Sequence, residues 1–333
     1  MSTYKQIYGY TVPVLTADPS PATLYEGSMW FNTTANALKV ASTSPTPASW
    51  SIGGTVATDR TAGGAGIQTA GLLIGGGPPG TISEEYDGSS FASGGNLATA
   101  VGFCAGFGLQ TAAVGCGGYT SSPYTRTSVT QNYDGSTWTS SGSMPEAKYS
   151  FGTAGLQTTG LIFGGRGASL NIATASTYNG STWTDVTGLP TGTRGIGGLG
   201  TQTAALGFGG YTPGPTGVSA TYEYDGSSWT SGGNLGNATY LSGAWGSQSA
   251  GFKVGGATTG GPQIANTELY DGTSWAAGIS APTSFYGGTN SGVQSAQNAG
   301  LTMSGYGNGA PITVAKEYNG PGTTISVKTV TAS

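Results

Sequence analysis

The feature that most constrains this chain is a phrase it repeats. Tyrosine followed by Asp-Gly or Asn-Gly stands at Tyr86, Tyr133, Tyr178, Tyr224, Tyr270 and Tyr318, at intervals of 45 to 48 residues. Five residues after the first five of these comes an aromatic: Phe91, Trp138, Trp183, Trp229 and Trp275. The sixth copy lacks it, and an extra Trp50 precedes the first copy. A second phrase keeps the same period: "GIQTAGLLIGG" ends at Gly76, "GLQTTGLIFGG" at Gly165, and a degraded "SAQNAGLTMSG" at Gly305. A period of this length marks a chain built by stacking one supersecondary unit on the next.

Each unit reads as four strands. A Gly/Ala-rich strand such as "RGIGGLG" turns at Gln-Thr into a more apolar strand closed by Gly-Gly. A variable loop follows, then a third strand ending at the tyrosine. Asp-Gly or Asn-Gly turns the chain into a fourth strand that carries the tryptophan; these dipeptides are strong hairpin signals because the tight turn needs positive φ at both central positions. Asn179 and Asn319 replace Asp with no other change. The turn therefore asks for a conformation rather than a charge, which argues against calcium there.

Four short strands every ~45 residues is the spacing of a β-propeller. The expected fold is all-β, with six four-stranded blades and Trp50 on the outer strand of the last, so that the two ends of the ring meet. The alternative is seven blades, the extra one made from the N-terminal hairpin and the C-terminal strand. The expected boundaries are an N-terminal extension over 1–49, a propeller over 50–325 and a tail over 326–333.

The composition fits that geometry. Glycine supplies 63 of 333 residues, against a usual ~7%, as expected where inner strands crowd at an axis. Charged residues make up only 7%, against a usual ~25%. The ten basic residues are scattered, which excludes the clustered footprint of a nucleic-acid binder. No segment offers the roughly 20 apolar residues of a membrane span, and no secretory signal is visible. The absence of histidine removes zinc sites, imidazole-copper sites and histidine triads. No metal and no cofactor are expected. Cys104 and Cys116 read as small hydrophobes, Cys116 filling the slot held elsewhere by Ile74, Phe163, Phe208, Val254 and Met303.

The Gly-Gly pairs (Gly75-Gly76, Gly117-Gly118, Gly164-Gly165, Gly209-Gly210, Gly255-Gly256), the third-strand tyrosine and the tryptophan soon after resemble kelch-type β-propellers. The resemblance covers Trp50 to Ile325. It implies the fold and says little about function. The segment Leu24 to Ser44 reads as a hairpin. Its Gly27, Trp30-Phe31-Asn32 and Leu38-Lys39-Val40 resemble a short module of bacteriophage tail-fibre and virion proteins. The repeat phrasing is also similar to glycine-rich, kelch-like proteins of marine phages. This resemblance implies a non-enzymatic structural protein on the virion, made in the host cytoplasm, with other virion proteins as partners and a possible homo-oligomer. Two other classes stay open: an adhesin for a host-surface glycan or protein, and a glycan-active enzyme.

The chemistry narrows these. Kelch copper oxidases hold their metal partly through histidine, which this chain lacks. Sialidase-like propellers place one residue between Asp and Gly, whereas Asp134-Gly135 and Asp225-Gly226 are adjacent; they also need an arginine cluster, and the four arginines here lie in different repeats. Glu84, Glu85, Glu223, Glu268 and Glu317 stand one or two residues before the repeat tyrosine. A carboxylate pair can hydrolyse a glycosidic bond, but glutamates at equivalent places in different blades read as a solvated strand face. No catalytic residues are expected.

A binding face follows from topology. Loops after the second and fourth strands fall on one side of the disc, and the tight turns on the other. The variable side carries Tyr119, Tyr124, Arg166, Tyr211 and Tyr306 after the Gly-Gly positions. Arg60, Tyr149, Arg194 and Tyr240 stand eight residues before the repeat glutamine, and Tyr286 joins them if the sixth copy holds a three-residue insertion. Aromatic and arginine side chains are good anchors for glycans or proteins.

Overall fold

The structure is a computed structural model that describes residues 6–7, 10–57, 60, 62–120, 125–168, 170–214, 216–287, 295–307 and 309–331. The chain divides into two compact units. One is Trp50–Asn319; the other joins Met1–Ser49 to Gly320–Ser333.

The larger unit is a β-propeller. Its first blade runs Gly63–Ile67, Ala70–Ile74, Ser83–Tyr86 and Phe91–Ser93, each strand antiparallel to the next. Four more blades repeat that order, their inner strands beginning at Ala105, Gly152, Gly197 and Gly243. The sixth holds Ala299–Thr302, Val314–Asn319 and, on its outside, Ser49–Thr55. The sixth blade thus draws its outer strand from the other end of the ring. Trp50 takes the place of the missing repeat tryptophan. Its ring lies 5.3 Å from that of Tyr318, beside 4.6 Å for Tyr178–Trp183 and 4.8 Å for Tyr133–Trp138.

The core lies between blades. The six repeat tyrosines are all buried, and Trp138 and Trp229 are buried with them. The indole N–H groups reach back across the seam: Trp183 to Thr130 Oγ1 at 3.0 Å, Trp275 to Thr221 Oγ1 at 2.9 Å, Trp50 to the Ile279 carbonyl at 3.2 Å. Each Gly-Gly pair sits at positive φ, +67° and +111° at Gly164 and Gly165, where a side chain would be strained.

Two sequence expectations change. The repeat glutamine is more than a turn residue. Gln110 Nε2 donates to the carbonyls of Gly71 and Tyr86 in the preceding blade, at 2.9 and 2.8 Å. Gln157, Gln202, Gln248 and Gln297 do the same, and Gln68 closes the ring by donating to the Tyr318 carbonyl at 2.8 Å. The glutamates, for their part, do not form a solvated face. Tyr86, Tyr133 and Tyr270 donate their hydroxyls to Glu317, Glu85 and Glu223 of the preceding blade, at 2.7, 2.7 and 2.5 Å. Glu84 and Glu268 are buried against Arg60 and Lys253.

The smaller unit is built on a four-stranded sheet. The hairpin Met29–Asn32 and Ala37–Thr46 pairs with Val14–Leu15 on one side and Gly322–Thr329 on the other. Val14–Leu15 runs parallel to its neighbour, unlike any blade strand. The N-terminal hairpin and the C-terminal strand share a sheet, as the seven-bladed alternative requires, but that sheet belongs to this unit. Asp18 organises it by accepting Trp30 Nε1 at 2.9 Å and Asn32 Nδ2 at 2.7 Å.

Candidate functional site

On the long-loop side of the propeller the blades leave a funnel of about 610 Å³. Its walls grow from two positions in each repeat. One stands three residues before the inner strand; the other follows Gly-Gly. The two pair by reciprocal backbone hydrogen bonds. Arg194 and Tyr211 exchange them at 3.0 and 2.7 Å, Tyr240 and Ala257 at 3.0 and 3.0 Å, and Tyr286 and Tyr306 at 3.0 and 2.9 Å. Gly102 with Tyr119 and Tyr149 with Arg166 make the same bridge.

The next residue is left-handed in five repeats: Phe103, Ser150, Gly195, Leu241 and Gly287 have φ between +52° and +62°. Three of these are not glycine, and such conformations cost of order 1–3 kcal/mol each and gather at functional sites. The return is a backbone girdle. Gly195 donates to the Ser150 carbonyl at 2.7 Å, Leu241 to Gly195 at 2.7 Å, and Gly287 to Leu241 at 2.8 Å.

Seven of the residues singled out in the sequence line this funnel: Tyr119, Tyr149, Arg194, Tyr211, Tyr240, Tyr286 and Tyr306. They contact one another as pairs. The rings of Tyr119 and Tyr149 lie 4.5 Å apart, those of Tyr211 and Tyr240 4.9 Å, and those of Tyr286 and Tyr306 5.7 Å. The Arg194 guanidinium sits 5.1 Å over the Tyr211 ring. Burial and the hydrogen bond to Tyr149 push the Tyr119 phenol well above its ordinary range. Tyr286 is raised by burial and then by its tyrosine neighbours. These hydroxyls are neutral donors at neutral pH.

Three expected residues stand elsewhere. Arg60 is only 4% exposed and pairs with Glu84 at 2.5 Å, so it does not offer its charge to the funnel. A buried cation at that position is tolerated because the first blade places a carboxylate opposite it. Arg166 is half-buried and lies outside the lining, although its charge acts on the Tyr119 phenol. Tyr124 lies outside the described residues.

The sequence reading missed Phe103, Ser150 and Leu241, which line the funnel between the tyrosines. Their position, directly after the residue eight before the glutamine, was available as a signal. Cys104 also lines it, but its thiol donates to the Ile74 carbonyl at 3.2 Å and is pushed up to about 11 by burial, which leaves it a poor nucleophile. Among the described lining residues Arg194 is the one formal charge at neutral pH, and none of them forms a group of three or more candidate metal ligands.

No family model and no curated protein sequence matches this chain. Among solved structures it is similar to YjhT, with a TM-score of 0.66 over 81% of this chain and 98% of that one, at 12% identity. That likeness supports the propeller fold. It does not extend to kelch type or to a phage source. The expectation of a non-enzymatic virion structural protein is corrected here: the fold likeness leads to YjhT, which lends no support to a role in a particle. An enzymatic role for the propeller stays open.

Proposed function

We propose that the propeller binds a carbohydrate in the tyrosine-ringed funnel. The observation that carries this is the lining itself. Six tyrosines from five blades stand around one concavity, each with an apolar face and a hydroxyl tip, held on a rigid backbone girdle. Sugar rings present an apolar face of C–H groups and a rim of hydroxyls, and amphipathic aromatics match both. A volume of about 610 Å³ falls within the ~300–1,000 Å³ of sites that engulf a small ligand. Protein partners instead bury flat patches of about 800 Å² per side, so the concavity favours a sugar over a protein.

The test is isothermal titration and a glycan array with the full chain, set beside Tyr240→Ala and the double variant Tyr119→Ala/Tyr211→Ala. Binding is expected in the parent protein and a loss of at least tenfold in the variants, with unchanged melting temperature. Binding that survives the double variant would place the ligand elsewhere. Recovered sugars are read for new products, since turnover would add a catalytic step to the binding.

A further inference from the structure

We infer that Phe103 forms a second, outer sugar platform, so that the funnel reads the end of a saccharide chain at least two units long. The inference rests on the carbohydrate reading above. Three observations lead to it.

The first is what Phe103 costs. Gly195 and Gly287 fill the equivalent left-handed position in other blades with no side chain at all, Ser150 with a small one and Leu241 with an aliphatic one, so Phe103 is the aromatic among the five. A bulky residue at φ +52° is a backbone outlier. The girdle itself does not ask for an aromatic there, so the ring is present for its own contacts.

The second is exposure. Phe103 is 45% exposed, whereas Tyr86, Tyr133, Phe107 and Phe163 are fully buried. It lines the funnel, and its ring meets that of Tyr119 edge-on at 5.8 Å. Its 45% exposure leaves part of the ring open beside that contact.

The third is where the ring of tyrosines is interrupted. Tyrosine side chains stand on the second to sixth blades. On the first, the matching positions are Arg60, turned inward onto Glu84, and Gly77. A Cβ on Gly77 would lie 3.0 Å from the Phe103 ring, so Phe103 leans over this gap. Downward, the lining reaches only the second residue of the described inner strands, at Gly64, Gly106, Thr153, Gly198 and Ala244. Gly66, Gly108, Gly155, Gly200 and Gly246 below it are buried. Among the described residues the funnel is therefore blind. On these described walls an end enters, and the following unit leaves over the first blade, across Phe103.

The experiment measures affinity for mono-, di- and trisaccharide series of glucose, galactose, mannose and N-acetylglucosamine, using the full chain, Phe103→Gly and Phe103→Trp. Glycine removes the ring and relieves the backbone, so this variant is expected to fold. The parent is expected to bind the disaccharide of its preferred series about tenfold more tightly than the monosaccharide, a step equal to one good aromatic contact. Phe103→Gly should bind both alike, and Phe103→Trp should keep the step. A step that persists in Phe103→Gly, or a parent with no step, overturns the outer platform and leaves the carbohydrate reading standing. A parent that binds no member of any series overturns both.

Discussion

The seam between the first and second blades and the seam between the third and fourth are written with the same words and end differently. In the first, the Tyr133 hydroxyl donates to Glu85 at 2.7 Å. In the second, Tyr224 is just as buried, but Thr177 stands where Glu85 stood, and the Tyr224 hydroxyl is buried with no hydrogen-bond partner. The rest of the seam is unchanged: Gln202 still pins backbone carbonyls of the third blade, and the Trp229 ring still packs on Tyr224 at 4.8 Å. The difference teaches that ring burial and the glutamine clasp hold two blades together, while the phenol–carboxylate bond is an addition made at three of the six seams.

Several changes test that comparison, beginning with the one that abolishes a seam. Deleting residues 1–56 removes the outer strand of the sixth blade and leaves an unpaired strand edge, which pairs readily with other chains. The expected outcome by light scattering is a shift from monomer to oligomer or aggregate; a monomer with the parent melting temperature would show that the outer strand is dispensable. Trp229→Ala should destabilise the propeller by about 3–5 kcal/mol, because the indole packs across the third and fourth blades with Phe163 and Tyr224. A loss under about 1 kcal/mol in denaturant unfolding would contradict ring burial as the main holding force.

The hydroxyls are tested next. Tyr133→Phe should cost about 1–2 kcal/mol by stranding the Glu85 carboxylate, whereas Tyr224→Phe should be neutral or slightly stabilising, since it deletes a buried polar atom that has no partner. Equal losses in the two variants would erase the distinction between the seams. Thr177→Glu sharpens it from the other side: supplying the missing acceptor should stabilise the protein by up to about 1 kcal/mol, an effect that disappears in the Tyr224→Phe background.

The smallest effect is on pH dependence. Burial, followed by the hydrogen bonds they donate to Glu85 and Glu223, pushes Tyr133 and Tyr270 up to about 12. Both groups are thus raised above the unfolded value near 10. Their contribution is complete below about pH 10 and is lost as pH rises towards 12, because the unfolded chain ionises first. Alkaline unfolding should therefore move to higher pH in Tyr133→Phe relative to its own neutral-pH stability. At the acid end, the turn carboxylates of Asp87 and Asp271 are held at about 2 by hydrogen bonds from the following Ser and Thr residues. They contribute above about pH 4 and lose that as pH falls towards 2. Asn179 makes the equivalent bonds to Ser181 and Thr182 without a charge, so acid should leave that turn untouched.

The propeller was legible because its signals are local and repeated. Asp-Gly, Gly-Gly and the tyrosine–tryptophan spacing each specify a turn or a strand end. Trp50 could be assigned to the last blade because one aromatic was missing there. The glutamine clasps were not legible. Gln110 meets carbonyls in another blade, and a partner of that kind leaves no mark in the sequence. The same limit misplaced the glutamates and Arg60, whose environment is set by Glu84 twenty-four residues on. The tyrosines that line the funnel were reachable because topology sends two loop positions per blade to one side. Phe103 was missed because nothing in a single repeat shows that its backbone turns left-handed.

The sixth blade has a consequence for the order in which the protein is made. Ser49–Thr55 is synthesised before any other strand of the ring, yet it pairs with Val314–Asn319, nearly the last. Gln68, on the first blade, likewise waits for the Tyr318 carbonyl. While the ribosome is still working, five blades can stack, but the strand that completes the circle has no partner until the far end emerges. Contacts of such long sequence separation slow folding and leave strand edges open meanwhile. The ring closes in a single late step, and the first-made strand is the last to be seated.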